Sequence, residues 1–286
     1  MSVTLAANSY GTSRVRVLRV VRGNERHDFF DLTLDIQCTG DFVAAHLEGD
    51  NSGVLPTDSM QNAVYALARQ APAGTVEAIE LFGMRLGDHL LGGNPQISAV
   101  RVDISERLWS RIIVDGQPHR HAFVQGEPGV RTCRVLTAPG TRHVAAGVEG
   151  LLVLKTTDSG FSGFARDAYT TLPETDDRIL SAAMDLTWRY GQPVDYDATW
   201  DLARRTALQT FADHHSLSVQ QTGYAIGEAM LVACPAIDEV SLSLPNRHNL
   251  LVDLTPLGLD NPNEIFAPVD EPHDQINIVV ERGRST

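Results

Sequence analysis

Apolar and polar residues alternate near the start of the chain. Val15 and Val17 alternate with arginines within the segment 13–22, and every second residue from Phe30 to Ile36 is apolar. A period of two is typical of a strand that buries one face. The pattern therefore predicts two antiparallel strands joined by a turn near Gly23-Asn24.

The apolar spacing then changes to that of helices. Asp58 and Gln61 have the spacing of a capping box, which predicts a helix that begins at Asp58 and leaves Thr57 just outside its first turn. Its apolar stripe is predicted to contain Met60, Val64, Leu67, Ala68 and Ala71. The helix ends before Pro72-Ala73-Gly74. A second helix, with Ile79, Phe82, Leu86 and Leu90 at helical spacing, ends at Gly92-Gly93-Asn94-Pro95.

The chain returns to strands after these helices. Val100, Val102 and Ile104 alternate with charged residues, and a further strand is predicted from about His119 to Gln125. The order so far is strand, strand, helix, helix, strand, strand. Another strand runs from Arg131 to a turn at Pro139-Gly140, after which the same order repeats.

The second half begins with predicted strands near 152–155 and from Ala182 to Tyr190. The next elements are helices over about 198–214 and 216–233, followed by short strands at 240–244, 250–254 and 276–280. Pro245 is predicted to interrupt the strand that contains it. Asn246 and His248 would then lie exposed at a turn.

The two halves predict an α+β fold in which an antiparallel sheet carries two helices on one face, twice over. The predicted domains are 1–140 and 141–286. Each sheet has a second face that no helix covers. Burying this face against another copy would close the sheets into a barrel, so we expect an oligomer.

Composition narrows the class of protein. A net charge of −13 without a Lys/Arg cluster argues against a nucleic-acid-binding protein. Lys155 is the only lysine among the 23 basic residues. The 3 cysteines form no Cys-x-x-Cys pair, and no targeting signal or run of transmembrane length is present. We therefore expect a cytoplasmic protein that does not interact with membranes.

No single segment carries a catalytic motif. The sequence lacks a Gly-x-Ser-x-Gly elbow and a phosphate loop, and His119 and His121 have no third metal ligand near them in sequence. Thr57 near a positive helix end suits an oxygen-rich ligand, although the local features by themselves favour a well-capped helix with no further role. Arg178 could pair with the carboxylates of 174–177, and Gln220 could simply face solvent.

Several distinctive segments nevertheless occur in one order. They are Tyr10-Gly11 before a basic strand, Val54–Asp58, His119–Phe123, Tyr169–Leu172, Asp177–Leu180, Trp188–Tyr190, Ser216–Gln220 and Ser243–His248. This series resembles the urate oxidase (uricase) family over nearly the whole chain. The resemblance implies the tunnelling fold (T-fold), with two β-β-α-α-β-β domains per chain and a homotetramer whose sheets enclose a tunnel.

The family resemblance also implies a reaction and a way of binding the substrate. Urate is oxidised by O2 to 5-hydroxyisourate and hydrogen peroxide, with neither metal nor organic cofactor, at sites between subunits. Phe161 would stack on the purine. Arg178 and Gln220 would grip its edge, with help from the Val219 backbone, because a guanidinium and a carboxamide match adjacent oxygens and nitrogens in one plane.

The oxygen side of the implied site has one departure from the family. Asn246 would hold O2 or water above the ring together with Thr57, which comes from the partner subunit. His248 would orient a proton relay to Thr57. The family has a lysine after Tyr-Gly, which acts with the threonine as the base, but this chain has Thr12. Threonine does not titrate near neutrality, and Lys155 lies elsewhere in the sequence.

Three functions therefore stay open at the level of sequence. The first is urate oxidation, impaired by the change at Thr12. The second is oxidation of a different purine-like heterocycle whose greater acidity makes the lysine unnecessary. The third is a non-catalytic purine-binding homologue that keeps the clamp and has lost the base.

Overall fold

The computed structural model describes residues 3–71, 77–126 and 128–283, apart from the side chains of 270–273. The predicted helix stop at Pro72-Ala73-Gly74 lies outside the described residues. Within these ranges the strands are β1 (Tyr10–Arg22), β2 (His27–Gly40), β3 (Ile97–Arg107), β4 (Ser110–Val114), β5 (Gln117–Val124), β6 (Val130–Ala138), β7 (Thr141–Lys155), β8 (Leu180–Tyr190), β9 (Ile237–Leu251) and β10 (Phe266–Glu281). The helices are α1 (Val43–Leu47), α2 (Thr57–Gln70), α3 (Ile79–Gly92), α4 (Tyr196–Asp213) and α5 (Val219–Ala233), with a 3-10 turn at Thr255–Leu257.

The chain divides into two compact units, 1–147 and 148–286, and the division falls inside β7. The predicted boundary between 140 and 141 lies at the turn before this strand. The assignment of each predicted range as one complete T-fold domain stays a prediction.

The first unit contains an antiparallel sheet in the order β1-β2-β3-β6, followed by the first half of β7. Helix α2 packs on β1, and α3 packs on β3 and β6. Leu34, Ile36 and Val102 are fully buried on the inner face of this sheet. The predicted alternation in β1, β2 and β3 is thus confirmed.

The second unit contains the second half of β7 and then β8-β9-β10. Strands β8, β9 and β10 pair antiparallel. Helix α5 packs on β9 and β10, and α4 packs on α5. The face of β8 predicted from Ala182 to Tyr190 is buried, with Trp188 at 0% exposure. The predicted α+β class with antiparallel sheets is confirmed. Among the described residues, no helix combines the length and the apolar character needed to cross a membrane.

The two units use the same device to bring a helix close to the sheet. In α3, Gly83 and Gly87 face β6, where an added Cβ would approach the side chains of Val135 and Thr137 to 2.9 Å and 2.6 Å. In α5, Gly223 and Gly227 face β10 in a corresponding way. Glycines four residues apart lie on one helix face, so each pair makes room for the sheet side chains.

Two predictions about the first unit are wrong. The N-cap of α2 is Pro56, so Thr57 is the first helical residue, and Asp58 and Gln61 do not form a capping box. Instead, Asp58 accepts a hydrogen bond from Asn62 at 2.9 Å and Gln61 donates to Tyr65 at 3.1 Å, because both side chains extend along the exposed helix surface.

The second error concerns the strand predicted near His119, which is present as β5 but is not the fourth strand of the main sheet. It belongs to a separate two-stranded sheet with β4, a strand that was not predicted, and the fourth strand of the main sheet is β6. Alternation alone identifies a strand but not its partner, so the predicted element order counted this strand as the one that follows β3 in the domain.

The start of β1 depends on close contact between two backbones, which provides a test of the fold. An alanine Cβ at Gly11 would lie 1.8 Å from the carbonyl oxygen of Ile36. Because a backbone atom cannot move aside as a side chain can, we expect Gly11→Ala to lower the free energy of unfolding by roughly 1–3 kcal/mol or more. Urea unfolding followed by circular dichroism measures this change.

The matched control is Gly53→Ala, since the nearest heavy atom to its added Cβ is the Asp41 carbonyl oxygen at 4.0 Å. This variant should remain within about 0.5 kcal/mol of the parent protein. Equal stability of the two variants would contradict the proposed backbone constraint.

Candidate functional site

A cavity of about 360 Å³ in the second unit contains several of the predicted site residues. Phe161, Arg178, Asn246 and His248 all line it. The remaining lining residues are Leu172, Pro173, Glu174, Thr175, Asp177, Ile179, Arg247, Asn249, Leu250, Leu251, Asn263 and Phe266. A mostly apolar cavity with a few converging polar groups is typical of a small-molecule site.

Backbone hydrogen bonds position the loop that carries Phe161 and Arg178. Phe161 and Thr175 exchange hydrogen bonds of 2.8 Å and 3.1 Å between their main chains. The Arg178 N–H donates to the Ser159 carbonyl at 2.8 Å, and the Gly160 N–H donates to the Ser216 carbonyl at 2.8 Å. The irregular segment is therefore tied both to itself and to the residues just before α5.

The Arg178 guanidinium is half-buried and incompletely satisfied. Its Nε atom is buried and has no hydrogen-bond partner among the residues that the structure describes. Burial lowers the pKa of Arg178, and the nearby Asp274 carboxylate opposes this shift. Arginine nevertheless stays protonated at neutral pH. The buried Nε–H of the Arg178 cation is therefore available to an anionic ligand.

The acidic run before Arg178 makes other contacts. Glu174 lies 3.5 Å from Arg166, and Asp177 accepts a hydrogen bond of 2.9 Å from Thr157. Because Glu174 and Asp177 have these other partners, the Arg178 guanidinium remains available to a ligand in the cavity. Arg178 lies two residues before β8, which begins at Leu180.

Phe161 lies among planar groups. Its ring is stacked on Phe164 with centroids 4.9 Å apart and planes at 13°. The Arg178 Cζ atom lies 5.2 Å from the Phe161 centroid. Aromatic and guanidinium planes both stack on the face of a heterocycle, so this part of the cavity suits a flat, electron-rich ring.

Asn246 and His248 lie inside a strand, so their predicted exposure at a turn is wrong. Strand β9 is continuous from Ile237 to Leu251, and Asn246 is only 5% exposed. A proline removes one donor from a sheet ladder, but it does not by itself end the strand. The pairs Leu244–Ile276 and Asn246–Asp274 on either side of Pro245 keep β9 joined to β10.

His248 contacts a carboxylate that the sequence did not indicate. Its Nε2 atom lies 3.3 Å from Oδ2 of Asp274. A break in register between Val269 and Asp274 of β10 produces this contact, since these residues pair with His248 and Asn246, respectively. No periodic pattern reveals such a bulge, so Asp274 could not be identified from the sequence.

Val219 and Gln220 form the first turn of α5. Ser218 caps this helix by accepting a 3.1 Å hydrogen bond from the Gln221 N–H, while the Gln221 side chain accepts one of 3.0 Å from the Leu217 N–H. This Ser-x-x-Gln signal was available in the sequence and was overlooked. Val219 is buried and Gln220 is exposed, and neither lines the cavity.

Thr12 and Thr57 belong to the first unit. The hydroxyl of Tyr10 accepts a hydrogen bond of 2.9 Å from the Leu55 N–H, which ties the start of β1 to the segment before α2. Thr12 is half-exposed and pairs with Ile36, immediately before a break in the β1 register. The structure therefore links the segments that carry the two threonines within one unit.

Lys155 has a structural environment in the second unit. Its ammonium group donates to the carbonyl of His214, the residue that follows α4, and lies 5.7 Å from the Phe211 ring centroid. Partial burial lowers the pKa of Lys155, and Asp158 opposes that shift. Lys155 does not line the cavity that contains Arg178 and His248.

The two histidines of β5 lie close together, with ring centroids 4.6 Å apart for His119 and His121. Within residues 3–71, 77–126 and 128–283, no group of three or more His, Cys, Asp or Glu side chains is arranged to hold a metal ion. These histidines therefore form a ring contact rather than a recognisable metal centre in this part of the chain.

Comparison with known proteins covers both units. The uricase family model matches residues 8–136 and 144–277. The uricase of Arthrobacter globiformis is 43% identical over 281 residues, which cover 98% of this chain and 90% of that protein. The uricase of Oryctolagus cuniculus is 35% identical over 292 residues, which cover 99% of this chain and 96% of that protein.

The fold agrees with this relationship. The crystal structure of uricase from Arthrobacter globiformis matches with a TM-score of 0.94 at 42% identity, and the match covers 100% of this chain and 97% of that chain. The T-fold implied by the sequence resemblance is therefore confirmed. The chain belongs to the uricase family and is an oxidoreductase of the urate oxidase type.

Proposed function

We propose that this chain oxidises urate with O2 to 5-hydroxyisourate and hydrogen peroxide, with neither metal nor organic cofactor. The observation that carries the proposal is the Arg178 guanidinium, whose buried Nε has no hydrogen-bond partner among the described residues. It lies beside the Phe161 ring in a cavity that also contains Asn246 and His248. A planar anion with polar edges fits these three features together.

The clamp divides the recognition of urate between its face and its edge. Phe161 stacks on the purine face, and Arg178 binds an edge through charge-assisted hydrogen bonds. Gln220, with the Val219 backbone, completes the clamp from the first turn of α5. The hydrogen bond between Gly160 and Ser216 supports this arrangement, because it joins the Phe161 loop to the segment that leads into α5.

The oxygen side of the proposed site combines two copies of the chain. Asn246 holds O2 or water above the purine together with Thr57, which comes from the partner subunit. His248 takes part in proton transfer with that threonine. The site then lies between the subunits of a homotetramer. The exposed apolar residues Leu152, Leu154 and Val279 are consistent with a sheet face that another copy covers.

The chemistry requires an electron-rich substrate. Removal of a proton gives the urate dianion, which transfers an electron to O2 and leads to a hydroperoxide at C5. Water then replaces the peroxide, which leaves as hydrogen peroxide. The residues contribute proton removal, planar positioning and exclusion of bulk water.

Thr12 favours a second candidate function, because it replaces the family's basic lysine by a hydroxyl that does not titrate near neutrality. A more acidic purine-like heterocycle would need no such base. A non-catalytic homologue would bind urate and leave it unchanged. A panel of urate and its analogues, assayed for both binding and O2 consumption, separates these possibilities from urate oxidation.

The primary test is stoichiometric. Purified protein, dialysed against a chelator, should consume one O2 and form one hydrogen peroxide for each urate lost. An oxygen electrode, a peroxidase-coupled assay and urate absorbance measure the three quantities. Absence of turnover at high enzyme concentration would refute urate oxidation, and tight urate binding in the same sample would indicate the binding homologue.

The clamp can be tested at its charged residue. Arg178→Gln should lower kcat/KM for urate by roughly 10²-fold, because charge-assisted hydrogen bonds contribute about 1.5–3 kcal/mol. Steady-state O2 uptake measures this loss. The matched control is Arg189→Gln on β8, whose side chain is exposed and lies 3.5 Å from Glu239. Equal losses in the two variants would contradict a specific role for Arg178.

The departure at position 12 can be tested by restoring the family residue. Thr12→Lys should raise kcat for urate by about 10²- to 10⁴-fold if the missing group is a general base. The control Ser13→Lys adds the same charge at the exposed neighbouring position. O2 uptake that is unchanged in Thr12→Lys would show that the base lies elsewhere or that urate is not the substrate.

A further inference from the structure

Asp274 lies on the same sheet face as two residues of the cavity. It pairs directly with Asn246 across β9 and β10. Asn246 and His248 are two residues apart on β9, so their side chains share a face, and the partner opposite one is a diagonal neighbour of the other. The 3.3 Å contact between the Asp274 carboxylate and His248 Nε2 follows from this placement.

The bulge in β10 makes this contact possible. From Asn246 to His248 the register advances by two residues on β9, but on β10 it runs from Asp274 to Val269. In a regular register the residue two positions after Val269 would pair with Asn246, but the additional residues on β10 put Asp274 there, and bulges beside functional sites commonly re-aim a side chain in this way. Asp274 is therefore positioned by the backbone rather than by its place in a regular alternation.

The ion pair has little value as a stabilising contact. The His248 side chain is 37% exposed and that of Asp274 is 63% exposed. Pairs this accessible to water contribute little to folding. Their effect on a bound ligand differs, because a substrate that fills the cavity would exclude water from the imidazole and strengthen its interaction with the carboxylate.

We propose that Asp274 is a positioning residue that holds His248 as the proton acceptor for the substrate in the absence of the family lysine. This inference rests on the proposed function. A carboxylate at Nε2 favours the tautomer with hydrogen on Nε2, which leaves the lone pair on Nδ1. His248 Nδ1 then takes the proton as the N–H bond of urate breaks, and the imidazolium remains paired with Asp274.

The same proton returns later in the reaction, which otherwise consumes only O2 and water. Oxygen accepts two electrons from the urate dianion, the imidazolium returns its proton to the reduced oxygen, and the water that adds at C5 supplies the hydroxyl group of 5-hydroxyisourate and the second proton of hydrogen peroxide. His248 and Asp274 thereby end the cycle in their starting states. The histidine and carboxylate perform the role that an ordinary general base and its orienting partner share in other enzymes.

Other charged groups around the cavity affect the electrostatic interaction between Asp274 and His248. Arg178, Arg247, Glu174 and Asp177 line it from the loop before β8 and from β9. Asp274 also interacts electrostatically with Arg178. When Arg178 is engaged by the anionic substrate, the substrate charge and the Asp274 charge both favour a protonated His248. Substrate binding and proton transfer are coupled in this way.

Asp274→Asn tests the inference, because it keeps the size of the side chain and removes its charge. We expect kcat for urate to fall by about 10- to 100-fold with little change in KM. A loss confined to kcat would place the effect on proton transfer rather than on substrate binding. Asp274→Glu should recover most of the rate.

Glu281→Gln is the matched control, because it removes the same charge from an exposed residue of the same strand. It should retain the parent kcat and KM. A comparable loss in Glu281→Gln would indicate a general effect on β10 and would overturn the inference. A raised KM with an unchanged kcat in Asp274→Asn would do the same, because it would place the effect on substrate binding by Arg178.

A measurement without turnover separates this inference from the proposed function. In the substrate-free protein, 15N NMR of the His248 ring should show hydrogen on Nε2 in the parent and a larger share of the tautomer with hydrogen on Nδ1 in Asp274→Asn. This result supports the pairing even if urate is not oxidised. Identical ring spectra, together with an unchanged kcat in a protein that does oxidise urate, would overturn the role of Asp274 while the proposed function stands.

Discussion

The main-chain hydrogen bonds around Ser159, Gly160 and Phe161 are the constraint on which the site depends. This segment is too polar and too rich in glycine to fold as a regular helix or strand, so tertiary hydrogen bonds must fix its course. The bonds to Thr175, Arg178 and Ser216 do so. Without them, the Phe161 ring and the Arg178 guanidinium would have no fixed relation, and the proposed face-and-edge recognition of a purine would lose its geometry.

The second unit shows how a site can arise on a repeated fold. Both units place paired glycines of their second helix against a sheet, so the packing between layers is similar. The cavity instead depends on irregular features of the second unit, namely the loop that carries Phe161 and the bulge before Asp274. The regular elements supply a rigid support, and the departures from regularity position the polar groups.

The sequence predicts the regular elements well where one pattern continues without interruption. Helix α3 and strand β8 have long periodic runs, and burial of these runs determines their structure. The pattern fails at Pro245, because a local loss of one donor does not overcome pairing along the whole of β9. It also fails at Asp58. A capping box needs Asp58 to precede the first helical residue, but the helix begins at Thr57, so Asp58 already lies inside it. Asp274 escapes sequence analysis because its partner is set by a bulge.

Thr12 and Asp274 together change how the proton chemistry of this chain should be understood. A lysine next to the site threonine would supply a mobile cation and, when neutral, a base, and a threonine can do neither. The only lysine, Lys155, is held at the carbonyl of His214 and does not line the cavity. A proton acceptor must therefore come from the residues that do line it. Glu174 and Asp177 also line it, but their carboxylates contact Arg166 and Thr157. Among Phe161, Arg178, Asn246 and His248, only the imidazole can gain and lose a proton near neutrality, and Asp274 is the carboxylate in contact with it.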